Sequence, residues 1–183
     1  MNKSIPIIIV IILLVTSGIF LVSRPSKNMN KTIQNSNQNT ASTNGNMAKP
    51  EGKSSFTGEK GETIALTNNQ IQIPTSGFEI NKVRFFNTTL DDGKTIYFLI
   101  LKDKDGNFRA AANANTQCAS YGKGYRQVGD EIECLTCNKK YPLTDFAIAQ
   151  PDCNPFPINA KLPLINGQIV INSSQLEKVT NLF

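Results

Sequence analysis

The hydrophobic pattern changes character twice along this chain. Residues 5–22 are almost continuously apolar, and residues 4–23 carry no charge. About 20 helical residues cross a hydrocarbon core of about 30 Å, so residues 1–23 are predicted to form one N-terminal transmembrane helix. Pro6 lies near its start, where a missing N–H costs little. A cleaved signal peptide with Lys3 as its basic region is the rival reading. The apolar run continues through Ile19, Phe20, Leu21 and Val22 past the small residues, and no A-x-A site follows. An uncleaved anchor is therefore favoured. Residues 24–58 are polar, with seven asparagines between residues 28 and 46. Such a stretch cannot offset the entropy of ordering and reads as a disordered linker.

From residue 59 the pattern becomes that of strands. Residues 63–66, 70–73 and 82–86 alternate or nearly so. Asp91, Asp92 and Gly93 then mark a hairpin before residues 95–101, which are apolar on both faces, as in a central strand. A second turn at residues 103–106 returns the chain through residues 107–112. Neither acidic turn has the spacing of an EF-hand, whose twelfth position counted from Asp103 falls on Ala114. Residues 168–171 form a late strand. Ser174 and Glu177 have capping-box spacing and predict a short terminal helix. Pro142, Pro151, Pro155, Pro157 and Pro163 favour loops between. The expected fold is mainly β: a small antiparallel domain over residues 59–183, with a loop-rich cysteine region inserted late.

Charge and composition then narrow the function. The net charge of +5 misleads, because Lys3, Arg24, Lys27, Lys31 and Lys49 all precede residue 51 and no acid does. The domain beyond is neutral, a poor electrostatic partner for nucleic acid. The chain has no histidine, which removes His-dependent triads, His-ligated zinc and His-ligated haem. No residue set for acid–base or nucleophilic work on an organic substrate stands out, so the chain reads as a carrier rather than a catalyst. Basic residues flank the apolar run on both sides, and the positive-inside rule alone slightly favours the body facing the cytoplasm; a short basic tip before an apolar run is, however, how an exporting signal-anchor begins, so the body is expected outside the cell membrane.

The chemistry concentrates in Cys118, Cys134, Cys137 and Cys153, spaced C-x₁₅-C-x₂-C-x₁₅-C. Four thiolates suit tetrahedral zinc, a single iron or an iron–sulfur cluster. A C-x-x-C turn can point two sulfurs at one metal while backbone N–H groups face them. Two disulfides are the alternative for an exported domain. A thioredoxin-like dithiol is disfavoured, because no βαβ pattern surrounds Cys134.

These cysteines stand in a wider pattern. Tyr121, Gly122, Lys123, Gly124, Tyr125, Gln127 and Gly129 separate Cys118 from Cys134 and Cys137; Asn154 and Pro155 follow Cys153; Asp105, Gly106, Arg109, Ala110 and Ala111 lie upstream. Over roughly residues 60–180 the chain resembles the FtrD-like membrane iron–sulfur protein family, with its A-C-x-x-C, G-K-G-Y-x-Q-x-G, C-x-x-C-G and G-G-C-N-P motifs. The resemblance implies a membrane-associated iron–sulfur or metal-binding domain, linked to iron uptake beside an iron permease. It implies Cys118, Cys134, Cys137 and Cys153 as ligands. Tyr121, Gly122, Gly124 and Tyr125 would shape the site. Arg109 and Arg126 would offset its negative charge, or else simply face solvent. The sequence departs from the family pattern where Asn115 replaces the first cysteine, Asn138 a glycine, and Pro151 and Asp152 a glycine pair. Five thiols become four, and an amide oxygen from Asn115 is a weak ligand for soft metals. A non-redox module stapled by zinc or two disulfides is the alternative function.

Overall fold

A computed structural model describes residues 55–148 and 152–183. The predicted anchor and nearly all of the predicted linker lie outside the described residues. Among those described, no helix is long and apolar enough to cross a membrane. Phe56 and Thr57, within the span read as linker, pack on the domain: Phe56 stacks on Tyr97 with ring centroids 4.0 Å apart, and Thr57 N–H donates to Gly122 O.

Eleven strands follow in chain order: β1 (Glu62–Thr63), β2 (Gln70–Pro74), β3 (Lys82–Thr89), β4 (Thr95–Lys102), β5 (Phe108–Ala112), β6 (Tyr125–Val128), β7 (Glu131–Cys134), β8 (Lys140–Pro142), β9 (Pro157–Asn159), β10 (Leu164–Ile165) and β11 (Gln168–Asn172), then the helix α1 (Ser173–Glu177). They form three sheets. The five-stranded sheet runs β1-β3-β4-β5-β9; two three-stranded sheets run β10-β11-β2 and β6-β7-β8. Pairings between these strands are antiparallel except the short parallel contact of β1 with β3, and an isolated parallel bridge joins Ile80 to Lys102 of β4.

The apolar run on both faces is explained by β4, the middle strand of the five. Side chains alternate across a strand. Ile96, Phe98 and Ile100 therefore enter one core with Ile71 and Ile73 of β2, Ile169 and Ile171 of β11, and Leu176 of α1. Leu99 and Leu101 enter a second core with Ile132, Cys134, Cys153, Tyr125 and Phe146. The same alternation continues in β5, where Ala110 and Ala112 face the first core and Ala111 the second. One sheet is thus shared by a structural core and a cysteine-bearing core.

Both acidic turns are hairpins, as the pattern predicts. Asp103 Oδ1 accepts from the N–H groups of Asp105 and Asn107 at 3.0 and 2.8 Å, which closes the β4–β5 turn. Two expectations are corrected. Residues 64–66 are not strand; after Ile64 N–H donates to Asn87 O the chain leaves the sheet, and Ile64 and Leu66 pack on the first core. The terminal helix is capped by Asn172 with Gln175, not by Ser174 with Glu177. Strand β11 runs to Asn172, so its N–H is the one left to donate to Gln175 Oε1 at 2.9 Å.

Truncating a buried Leu or Ile to Ala costs about 2–5 kcal/mol. Leu99→Ala and Ile100→Ala should each lose stability in that range in urea unfolding. Only Leu99→Ala should also speed the reaction of the four thiols with a disulfide reagent, because only that side chain lies under the cysteines.

Candidate metal centre

Each cysteine is placed by a different local device. Cys134 ends β7, where it lies opposite Tyr125 of β6. The chain then turns sharply: Asn138 N–H donates to Cys134 O at 2.8 Å, and Cys134 N–H to Lys139 O at 2.9 Å. Asn138 closes this turn at φ 58°, a left-handed conformation that Asn tolerates. The curl aims the N–H groups of Thr136 and Cys137 at the Cys134 sulfur and that of Lys139 at the Cys137 sulfur. Cys118 caps a single 3₁₀ turn, Ala119–Tyr121, which Gly122 ends in the left-handed conformation. Gly124 is needed as glycine. Its φ is +67°, and a Cβ there would lie 2.6 Å from the Asn113 side-chain oxygen, which accepts from Tyr125 N–H.

Cys153 arrives from the far side. Residue 156 pairs with residues 112 and 114 through two backbone bonds of 2.8 and 3.0 Å, which extends the β5–β9 edge toward Asn115. Cys153 N–H donates to Tyr141 Oη at 3.0 Å. Its sulfur lies 3.6 Å from that of Cys118. The sulfurs of Cys118, Cys134 and Cys137 all lie within 4.8 Å of one another. All four cysteines are free thiols. The structure thus brings Cys118, Cys134 and Cys137 together and places Cys153 against Cys118.

Asn115 is the residue whose part the sequence reading missed. It is buried. Its Oδ1 accepts from the N–H groups of Gln117 and Cys118, both at 2.9 Å. Its Nδ2 faces Tyr125 Oη at 2.5 Å, Cys153 O at 3.3 Å and the Cys134 sulfur at 4.0 Å. Tyr125 Oη donates in turn to Cys153 O. One amide therefore ties three of the four cysteine segments together. The signal was its position, where the family motif carries a fifth cysteine. Tyr125 is fully buried in the core that holds Cys134 and Cys153. Arg109 and Arg126 do not offset sulfur charge. Arg109 pairs with Asp103 at 2.7 Å, and Arg126 with Glu133 at 3.0 Å.

Four thiols this close cannot all ionise. Burial is the largest influence raising Cys118, Cys134 and Cys153 above an ordinary thiol, the last to about 11, and neighbouring thiolates add to it. At Cys137 burial opposes ionisation, but the Lys139 N–H and the other three thiols donating to its sulfur outweigh it and lower its pKa. Of the four thiols, Cys137 is thus the one whose ionisation the metal-free site favours. A soft cation would replace the remaining thiol protons.

The model of the family described as "Membrane iron-sulfur containing protein FtrD-like" matches residues 78–183, which include all four cysteines. The chain belongs to the FtrD-like family. No curated protein and no solved structure matches it. The FtrD-like site fits the iron that the family description implies. It offers an all-sulfur donor set in an apolar pocket, with backbone N–H groups already directed at two sulfurs. Metal–sulfur bonds of about 2.3 Å in a tetrahedron place sulfurs about 3.8 Å apart, close to the contact between Cys118 and Cys153.

Two outcomes follow from this geometry. A thiol raised in the folded state stabilises below its unfolded pKa and loses that contribution as pH rises through the folded value. The reduced, metal-free chain should therefore lose stability between pH 9 and about 11 in pH-dependent melts, as Cys153 passes from an ordinary 9.0 to its folded value. Metal loading should abolish that loss. Asn115→Ala leaves buried partners unmet, at about 1–3 kcal/mol. Urea unfolding should show this loss, and metal release to a chelator should become faster.

Proposed function

We propose that this chain is a membrane-tethered iron–sulfur protein whose Cys118, Cys134, Cys137 and Cys153 hold iron and serve electron transfer linked to iron uptake. The convergence of four free sulfurs from three separate loops is the observation that carries this reading. Bound iron supplies a one-electron ferric–ferrous couple. The protein's part is to hold the four sulfurs, to shield them with Tyr125 and Leu99, and to donate N–H groups to Cys134 and Cys137 that stabilise added negative charge. The short sulfur contacts favour one tetrahedral ion over a cluster, which spreads its thiolates across several irons.

The N-terminal apolar run would anchor the chain as a single pass with the domain outside. A flexible coil of about thirty residues reaches of order 30 Å, so the domain would meet a neighbouring iron permease at the membrane surface. Nothing in this arrangement asks for an acid–base or nucleophilic group.

The test is the metal content of the full chain, purified without oxygen. One iron per chain without sulfide is expected, with visible absorption that disappears in Cys134→Ser. Iron with stoichiometric sulfide would replace the single ion by a cluster while keeping the redox role. Zinc alone, or metal-free protein with four oxidised thiols, would overturn the electron-transfer reading.

A further inference from the structure

A cavity of about 430 Å³ opens against the cysteine site, and the sulfur ligands form part of its wall. Small-molecule sites fall in this size range and combine an apolar lining with a few placed polar groups. Cys118 and Cys134 line one side. Phe56, Tyr97 and Phe183 line another as a packed aromatic group, with Phe56 parallel to Tyr97 and Phe183 edge-on to both. The exposed ammonium-bearing Lys123 also borders the cavity.

A second observation points to a ligand. The hydroxyl of Thr136, in the turn between Cys134 and Cys137, is buried and has no hydrogen-bond partner among the described residues, yet Thr136 lines this cavity. A buried polar atom left unpaired is costly and rare. A ligand oxygen that accepts from this hydroxyl would relieve it.

We propose that this cavity binds the ring of a quinone-class carrier directly against the metal centre. A flat ring matches the aromatic wall. One carbonyl oxygen accepts from Thr136 Oγ1, and the opposite one accepts from the Lys123 ammonium. Such a ring lies in contact with two of the four sulfur ligands, so ferrous iron held there would lose one electron to the quinone and become ferric, and the negative charge gained by the ring would be met by the Lys123 ammonium and the Thr136 hydroxyl. The biological purpose rests on reading the cysteines as a redox site; the binding itself does not require iron.

Duroquinone is the probe, because its four ring methyls leave no open carbon for thiol addition. It is titrated by calorimetry into the full chain in two forms, ferric-loaded and zinc-loaded; in both, the metal ligates the thiols and is itself not oxidised further. Saturable binding of one ring per chain is expected in both. Thr136→Val should weaken it about tenfold, the worth of one hydrogen bond. Ala119→Leu, which fills the cavity, should abolish it while a thermal melt confirms folding. Absence of saturable binding in both forms would overturn the inference, as would affinity unchanged in both variants. Binding to the zinc form of a chain that fails to take up iron would keep the inference and sink the proposed function instead.

Discussion

The structure depends on one strand being buried on both faces. Residues 95–102 carry no exposed side, so the sheet around them must be covered on both faces. The two three-stranded sheets provide that cover from opposite sides. This constraint separates tasks. One face of β4 meets strands from both ends of the domain and makes the larger core. On the other, Leu99 and Leu101 meet the segment between residues 118 and 153 that carries the sulfurs, while Tyr97 packs against Phe56 and Phe183. Leu99, Leu101 and Ala111 form an apolar floor beneath the cysteines, and that floor adds to the cost of ionising thiols with no cation beside them.

The sulfur site is held by polar bonds as much as by apolar packing. Asn115 and Tyr125 are both buried, and both spend their side-chain groups on the loops that deliver Cys118, Cys134 and Cys153. Buried amides and phenols with all bonds met fix one arrangement of the chain. The loops can therefore be irregular and glycine-rich while the sulfurs stay close. The surface pairs nearby, such as Lys139 with Asp152 at 2.9 Å, are exposed and add little.

Much of this was legible in the sequence, for identifiable reasons. The two-sided apolar run of residues 95–101 and the Asp–Gly turns beside it reflect local chemistry, and the hairpins they predict are present. The four cysteines were legible as a set because the chain has no histidine and its three methionines all precede residue 48, which leaves the thiols as the soft ligands of the domain. The cap of α1 was misread because two overlapping candidates share one spacing, and only the end of β11 decides between Asn172 and Ser174. The strand expected at residues 63–66 was cut short by tertiary contacts that alternation cannot express. Arg109 and Arg126 find carboxylates on neighbouring strands, a matter of register that a linear reading does not contain. Asn115 drew notice as a departure from a motif. Its reach to three separate loops appears only when residues 115, 125, 134 and 153 meet in space.

The pairing of β2 with β11 joins residues near 70 to residues near 170. The larger core cannot close before the last strand exists, and β9, just beyond Cys153, docks on β5 across more than forty residues. Non-local pairing of this kind makes folding slow and late. On a ribosome the domain would leave the tunnel as an open chain, with its thiols unprotected until synthesis of the late strands ends. Any metal held by the four sulfurs would have to reach a finished domain rather than be built in as the chain grows, so the compartment where the last strand pairs would be the compartment that loads it.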